Sequence, residues 1–481
     1  MTALVTAREA PPPARRPKLE RVERQAWLAL MLAASTSLVI GLAVTAVNVA
    51  FPAIEHDFPG ADRSTLAWGL TGYSIVLASL LLLGGRLADH IGRRRVFRLG
   101  VAVFTLGSLA LAASPTAWSF VAARLGQAVG AALLGPASLS LVLERFPASR
   151  RLSAIATWSG MGTLGAAIGP SFSAVITEQL GWRWIFVLPL VVCVAALVLA
   201  PRLLPEGLPQ RPAPGRLDIV GSAVGTIGVG FLAATITRGP RLGWTHPLSL
   251  ACAGGAAVLI PLFIHRCRHH PEPLMDLQIL AAPTIKAVNL VNIGLTAAGT
   301  ASWLLYPLFL VQTWHYSLFR VGLALTPLPI VAVITGITVS RLAERVGTRT
   351  VIRYGALFPA AGLLTTGLRI GTTPHYITDF LIGGVLFNLG FGIVYTPITG
   401  LALREVADAK MSQATAIFNA LRQLAGGLGV ATVIAIMGNA RVIPLAAFRH
   451  AFLATTIMAG FAGAVVLIGL RVPTEFRRAR H

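Results

Sequence analysis

The chain carries the stretch GRLADHIGRRRVFRLG at residues 85–100 and a second copy, SRLAERVGTRTVIRYG, at residues 340–355. Eight of the sixteen positions are identical, and Asp89 in the first copy corresponds to Glu344 in the second. Each copy directly follows a long apolar stretch. The two halves of the chain are therefore predicted to be parallel repeats, the arrangement of transporters built from two helical bundles.

Outside the two copies, the sequence is a series of apolar stretches. Of the 481 residues, 55% are hydrophobic and 12% are charged, whereas a soluble domain carries about 25% charged residues. A membrane helix needs about 20 mostly apolar residues. The three shortest stretches leave twelve or thirteen crossings open as alternatives to fourteen. The candidate spans are residues 25–54, 64–85, 99–123, 125–143, 152–177, 184–201, 219–237, 242–264, 287–319, 321–340, 354–373, 380–403, 411–437 and 451–470.

The basic residues predict the orientation of these spans. If the N-terminus lies in the cytoplasm, then the two tails and every second loop hold 30 of the 40 Lys and Arg residues. An excess of Lys and Arg marks cytoplasmic loops. Both termini are therefore expected on the cytoplasmic side of a cell (inner) membrane. This pattern also explains the net charge of +22. A nucleic-acid-binding protein would concentrate that charge on one exposed surface.

The spacing of the repeat predicts the domain organisation. The copies lie 255 residues apart, whereas six spans with short loops need roughly 180–200 residues. The surplus accommodates two extra spans, giving an all-α polytopic membrane protein with six, two and six helices. The expected segments are a cytoplasmic tail (1–24), an N-terminal six-helix bundle (25–201), a cytoplasmic linker (202–218), two inserted helices (219–264), a cytoplasmic loop (265–285), a C-terminal six-helix bundle (286–470) and a tail (471–481).

The first copy, with its preceding glycine, resembles the signature loop between helices two and three of the major facilitator superfamily. Other stretches resemble the fourteen-helix drug:proton antiporter, or multidrug efflux, branch of that superfamily. The resemblance implies a secondary active transporter that exports an amphipathic small molecule, such as a drug, antibiotic or secondary metabolite, by alternating access in exchange for protons. The stretches are VNVAFPAI (47–54), ARLGQAVGAALLGP (123–136), GAAIGP (165–170), GWRWIF (181–186) and FNALRQL (418–424).

The repeated loops are the predicted gate. Asp89 can accept hydrogen bonds from arginines and can lie at a helix N-terminus of the other bundle, where the helix dipole favours an anion. Arginines alone would predict no more than a loop that sets topology. The predicted gating residues are Gly85, Arg86, Asp89, Gly92, Arg93 and Arg94 in the first copy, and Arg341, Glu344, Gly347 and Arg349 in the second.

Two predicted spans hold an arginine, Arg369 near an end and Arg422 inside, and Arg124 lies inside or at the edge of the fourth span. A charge at membrane depth is costly and usually faces a cavity or a partner. Because Arg124 lies at the start of the predicted fourth span, snorkelling to the interface is one interpretation of it. The family resemblance instead links Arg124 to coupling. Arg422 is the twelfth residue of its span, from which snorkelling is harder. The polar residues assigned with them to coupling or to the cavity are Asn48, Gln127, Asn419 and Gln423.

The fifth span contains a predicted hinge. Gly165 and Gly169 are spaced to let two helices approach closely, and Pro170 removes a backbone donor, which kinks helices. The resemblance identifies these residues with the antiporter motif of the family. Ordinary close packing of helices predicts nearly the same structure.

The usual acidic residue of this branch is missing. The resemblance implies an aspartate five residues before Asn48, and that position is Ala43. No Asp, Glu or His lies at the centre of a predicted span, although a proton carrier needs such a group. Asp89, Asp379 and Glu55 are the remaining candidates. Proton exchange is thus implied by resemblance without its usual site, and the two arginines favour a neutral or anionic substrate.

Other functions stay open at this point. An uncoupled facilitator or importer of a small metabolite fits the same spans, and a polytopic membrane enzyme or a transporter-like sensor are remoter alternatives. No catalytic residue, metal ligand or cofactor site is predicted, and the lack of a Gly-x-x-x-x-Gly-Lys-Ser/Thr motif argues against direct use of ATP. The expected partners are a small-molecule substrate, the lipid bilayer and, by resemblance, protons, but not nucleic acid.

Overall fold

The computed structural model describes residues 17–146, 148–204, 218–270, 273, 275, 277–346, 348–404, 411–438 and 442–469. This part of the chain forms helices joined by short turns and contains no β-strand. The first nine helices are α1 (Pro17–Asp57), α2 (Arg63–Ile91), α3 (Arg93–Ala112), α4 (Ala117–Arg145), α5 (Ala148–Gln179), α6 (Trp184–Val187), α7 (Leu190–Leu203), α8 (Ile219–Leu242) and α9 (Pro247–His269).

The remaining helices follow a 3₁₀ turn at Ile279–Ala281, and a π-helical turn at Tyr376–Leu381 leads into α15. They are α10 (Pro283–Gln312), α11 (Leu318–Leu325), α12 (Pro327–Val346), α13 (Thr348–Gly355), α14 (Leu357–Arg369), α15 (Ile382–Arg404), α16 (Met411–Met437) and α17 (Leu445–Gly469).

Thirteen helical segments of the described chain are long and apolar enough to cross a membrane. Some of them combine two consecutive helices, as α6 and α7 do over Trp184–Leu203. The predicted fifth span, α5, is not among the thirteen, although its 32 residues exceed the length required. Its many glycine and serine residues make it less apolar. The predicted all-helical membrane fold is confirmed, with thirteen or fourteen crossings.

The turn between the third and fourth spans lies ten residues before its predicted place, so that prediction was wrong. The predicted break was at residue 124, whereas α3 ends at Ala112 and α4 begins at Ala117. A capping box between Thr116 and Ser119 starts α4, because each side chain bonds the backbone N–H of the other residue. The apolar run continues across this turn, so hydropathy did not reveal it. Arg124 therefore lies about two turns inside α4.

The helices pack as two bundles. In the first bundle, defined as α1–α7, α1 packs on α5, while α2 and α3 both pack on α4. In the second bundle, defined as α10–α17, α10 packs on α16 and α17, while α12 and α14 pack on α15. Between the bundles, α2 lies along α16, α5 against α11 and α1 against α10. The bundles thus face each other along three pairs of helices.

A hairpin of α8 and α9 lies beside both bundles, with α8 against α2 and α16. The Asp218 carboxylate accepts hydrogen bonds from the Gly221 N–H at 2.8 Å and from Arg266 Nε at 2.7 Å. Burial by itself raises the pKa of Asp218, but the Gly221 N–H and the Arg266 guanidinium together hold that pKa below its ordinary value. An ionised Asp218 therefore joins the start of α8 to the end of α9.

The two ends of the bundles differ in their hydrophobic cores. We call the end with the α2–α3 and α12–α13 turns the repeat-loop end, and the other the opposite end. At the opposite end, one continuous core joins the bundles and includes Phe120 and Trp182 from the first and Tyr306 from the second. Towards the repeat-loop end, separate cores form around Phe97 in the first bundle and Ile352 in the second. The bundles are therefore sealed together at the opposite end.

Candidate functional site

Arg124 is buried inside the first bundle, with 1% of its surface exposed. Its Nη2 donates to the Ala43 carbonyl oxygen at 2.7 Å, and its Nε donates to that of Gly69 at 3.3 Å. Its Nη1 donates to the side-chain oxygen of Gln127, and its guanidinium lies 4.0 Å from the centre of the Tyr73 ring. Arg124 thus joins α1, α2 and α4, and it does not snorkel to the interface.

The partners of Arg124 are all neutral. Gln127, its side-chain partner, donates in turn from Nε2 to the Ser108 hydroxyl of α3 at 2.7 Å. Within the described part of the chain, no carboxylate forms an ion pair with Arg124. Ala43 is the residue at the position where the resemblance implies an aspartate. The fixed charge is therefore held by oriented dipoles and a π face rather than by an opposite charge.

Arg422 lies on α16 in the second bundle and is half-buried. Its Nη1 donates to the Tyr395 hydroxyl oxygen at 3.3 Å. The Tyr395 ring stacks on Phe391 with centroids 4.8 Å apart, and it lies 6.3 Å from the Phe418 ring. No described carboxylate pairs with Arg422. Among the described residues, this cation thus has one weak neutral partner and lies beside an aromatic cluster, which we define as Phe391, Tyr395 and Phe418.

The predicted cavity residues Asn48, Asn419 and Gln423 lie on helices that pack against the other bundle. Asn48 is buried on α1, while Asn419 and Gln423 are half-buried on α16, on either side of Arg422. α16 packs against α2 of the first bundle and α1 packs against α10 of the second. The second bundle's candidate residues therefore share one helix that borders the first bundle.

The predicted hinge forms the tight contact between α5 and α1. A Cβ atom on Gly165 would lie 2.1 Å from the Leu38 carbonyl oxygen, and one on Gly169 would lie 2.0 Å from Thr45 Oγ1. Only glycine allows such close approach of two helix backbones. Pro170 is buried within α5. These residues set the α1–α5 packing.

The first copy of the repeated loop joins α2 to α3 through Gly92, whose φ of 100° favours glycine. Arg86 donates from Nη2 to the Pro273 carbonyl oxygen at 2.7 Å. Arg94 donates to the carbonyl oxygens of Pro201 and Leu204 near the end of α7, at 3.3 and 3.4 Å. The arginines of this loop thus bind backbone carbonyls of neighbouring segments.

The other predicted gating residues are only partly described. Gly85 is half-buried near the end of α2, and Arg93 is the first residue of α3. Gly347 lies outside the described residues, and so do four predicted gating side chains whose backbone is helical. These are the side chains of Asp89, Arg341, Glu344 and Arg349.

At the opposite end, the structure brings together residues that the sequence analysis did not single out as a seal. Arg63 is 1% exposed and pairs through Nη2 with Glu55 Oε1 at 2.6 Å. Its Nη1 donates to the Gly438 carbonyl oxygen at 3.1 Å. Gly438 follows the last residue of α16, so that Arg63 bridges the first bundle to the second.

Two further contacts cross the same boundary. The Glu178 carboxylate accepts a hydrogen bond from the Phe319 N–H, in the first turn of α11, where the helix dipole favours an anion. The hydroxyls of Ser171 and Thr326 lie 2.8 Å apart. We call these two contacts, together with that from Arg63 to Gly438, the closed-end contacts. They join residues over 140 positions apart, which no local sequence signal could pair.

Comparisons with known proteins agree with this fold. The family description of the Major Facilitator Superfamily matches residues 33–430. A cephamycin export protein of Amycolatopsis lactamdurans is 31% identical over 422 residues, which cover 86% of this chain and 85% of that protein. A puromycin resistance protein of Streptomyces alboniger is 32% identical over 429 residues, which cover 87% of this chain and 83% of that protein.

The fold has similar solved structures. The xylose transporter of E. coli in an inward-open conformation superimposes with a TM-score of 0.64 at 15% identity, over 94% of this chain and 97% of that one. A peptide transporter in an auto-inhibited state gives a TM-score of 0.65 at 18% identity, over 92% and 95% of the two chains. At such identities the likeness concerns the fold, and it agrees with the family match. The resemblance predicted from the repeated loop is confirmed, and the chain belongs to the major facilitator superfamily.

Proposed function

We propose that this transporter exports an amphipathic small molecule that is neutral or, preferably, anionic, by alternating access across the cell membrane. The observation that carries the proposal is Arg422, a half-buried cation with a neutral partner beside an aromatic cluster. Relatives named for cephamycin export and puromycin resistance support an exporter of antibiotic-like molecules. We expect no enzymatic reaction.

The proposed architecture is a first bundle over 25–201, two inserted helices over 219–264 and a second bundle over 286–470. Counting α5 as a crossing gives fourteen, and an even number leaves both termini on one side. The bias of 30 of 40 basic residues supports the cytoplasm for the tails and for the repeat-loop end. Cysteine labelling from outside should then reach position 243, in the turn between α8 and α9, but not position 210.

Alternating access requires the two bundles to separate at one end while they close at the other. The closed-end contacts and the shared core support an outward-closed state, whose opening lies towards the cytoplasm. Release of the Arg63–Gly438 and Glu178–Phe319 contacts would accompany opening to the outside. The repeated loops are the proposed cytoplasmic gate, and Asp89→Asn should slow transport without affecting insertion, measured as uptake per correctly inserted molecule.

The proposed binding site combines charge with aromatic surface. A substrate carboxylate or phosphate would accept hydrogen bonds from Arg422, whose guanidinium carries five N–H donors and is always charged. The aromatic cluster would bind the apolar part of the substrate. A dicationic substrate would find no described carboxylate beside Arg422 with which to pair. The site therefore favours amphipathic anions and neutral molecules over cations.

We further propose that proton exchange, if it accompanies transport, does not pass through a membrane-centre acid. Ala43 cannot titrate, and the Arg124 guanidinium, which contacts its carbonyl, is a group that does not release its proton in proteins. Asp379, a sequence candidate, lies at the opposite end beside His375 Nδ1 at 3.5 Å. Glu55, a second sequence candidate, pairs with Arg63.

The experiment is transport of a carboxylated amphipathic dye into proteoliposomes, with and without a pH gradient. The proposal expects dye transport that needs the protein and continues, at a similar rate, without the gradient. Glu55→Gln and Asp379→Asn test the peripheral acids. Absence of transport of any amphipathic probe would refute the proposed function. A dye-driven proton flux that survives both substitutions would refute the proposal about protons alone.

A further inference from the structure

A groove lies on the outer surface of the second bundle, at the repeat-loop end. It is formed by Thr350, Arg353 and Tyr354 of α13, Leu357 of α14 and Leu467 of α17, and has a volume of about 390 Å³. Four of these residues face outwards, since Thr350 is exposed and Tyr354 is 70%, Leu357 54% and Leu467 44% exposed. The groove is thus separate from the interface between bundles.

The depth of the groove in the bilayer follows from the helices that form it. The apolar segments are Thr350–Arg369 and Leu445–Ile468. Four of the lining residues belong to the first turns of the former, and Leu467 belongs to the last turn of the latter. The groove therefore lies where hydrocarbon meets the headgroups, the level at which tyrosine and arginine anchor membrane helices.

Among the described residues that line the groove, Arg353 is the one basic side chain. It is half-buried, and its Nε is enclosed without a hydrogen-bond partner among the described residues. No described carboxylate forms an ion pair with it. A buried charged donor without an acceptor is costly, so an anionic acceptor that enters the groove would relieve that cost.

We propose that this groove binds the headgroup of an anionic phospholipid. The phosphate would accept hydrogen bonds from the Arg353 guanidinium, and an acyl chain would lie on Leu357 and Leu467. The groove is much larger than a phosphate ion, and its apolar side suits the glycerol and chain of a lipid. Bound there, the lipid would bridge α13 and α14 to α17.

The internal repeat supplies a matched control. Arg98 occupies the position of Arg353 in the first copy of the repeat, at the same end of the molecule. It is exposed on α3, so its guanidinium is free to meet water or any headgroup. A general attraction between basic residues and anionic lipid would affect both arginines equally, whereas a built site affects Arg353 alone.

The test is native mass spectrometry of the purified full chain, titrated with phosphatidylglycerol or with phosphatidylcholine. We expect wild type to retain phosphatidylglycerol preferentially. Arg353→Gln should lower that retention about fivefold, which corresponds to the value of about 1 kcal/mol for one basic residue at an anionic surface. Arg98→Gln should leave it unchanged. Leu467→Trp fills the groove and keeps the charge, and it should lower the retention of phosphatidylglycerol as Arg353→Gln does. This second variant tests the site if Arg353→Gln does not fold.

Four results would overturn the proposal. One is equal retention in wild type and in both groove variants, and another is an equal loss in Arg98→Gln. The third is displacement of the lipid by millimolar inorganic phosphate, which would assign the groove to a free anion instead of a headgroup. Equal retention of phosphatidylcholine would contradict the requirement for net negative charge.

Discussion

Arg124 and Arg422 both lie within membrane helices, one in each bundle, yet their surroundings differ. Arg124 is fully enclosed and donates to two backbone carbonyls and to Gln127. Arg422 is half-buried and, among the residues that the structure describes, donates one 3.3 Å hydrogen bond, to Tyr395. A charge whose donors are used holds helices together, whereas one with spare donors can bind something else. We infer a positioning role for Arg124 and a binding role for Arg422.

The largest expected effect separates the two arginines by stability. Arg124→Ala removes a residue that joins three helices, and we expect a loss of about 3 kcal/mol, the value of one or two hydrogen bonds from a charged group. Arg422→Ala, the matched control, should cost less than about 1 kcal/mol. Thermal unfolding in detergent measures both. Equal losses would remove the distinction between the arginines.

The next prediction restores the missing acid beside Arg124. Ala43→Asp places a titratable group at the position of the family's usual aspartate, so transport should become dependent on external pH. A single titrating group changes the active population by at most about tenfold per pH unit. Ala43→Ser is the neutral control. Dye transport measured against pH should stay flat in wild type and Ala43→Ser. A flat profile in well-folded Ala43→Asp would show that this position does not carry coupling.

The smallest expected effect concerns Tyr395, the hydrogen-bond partner of Arg422 in the described part of the chain. Tyr395→Phe removes the hydroxyl but keeps the ring that stacks on Phe391, so the aromatic cluster should persist. We expect the KM for a carboxylated substrate to change by about twofold, as for a weak neutral hydrogen bond. A tenfold rise in KM would mean that Tyr395, and not Arg422 alone, binds the anion.

Most of the fold could be predicted from the sequence because length and hydropathy determine membrane helices directly. The repeat at 85–100 and 340–355 also identified the family. The turn at 113–116 was missed, since the apolar run continues through it and only the Thr116–Ser119 capping box ends it. That error placed Arg124 at the edge of a span.

Less of the site could be predicted. The arginines, Gln127 and the glycines of α5 were singled out as candidates because charges and small residues are conspicuous in apolar helices. What Arg124 contacts was not predictable, because its partners are carbonyls of Ala43 and Gly69, and every residue has a carbonyl. The closed-end contacts were also missed, since Arg63 and Gly438 meet only through packing of the bundles. Contacts to backbone carbonyls and contacts between distant residues are set by the three-dimensional packing of the helices, so the sequence carries no signal for them.

The central claim is that Arg422 recognises an anionic group on the substrate. The direct measurement is the transport of a carboxylated amphipath and of its uncharged methyl ester, in wild type, Arg422→Lys and Arg422→Gln proteoliposomes of equal protein content. We predict that wild type prefers the carboxylate, and that Arg422→Gln raises its KM by about ten- to a hundredfold, as for loss of a charged hydrogen bond. The ester should be unaffected, and Arg422→Lys should lie between. An equal loss for both compounds, or an unchanged preference in Arg422→Gln, would contradict the claim.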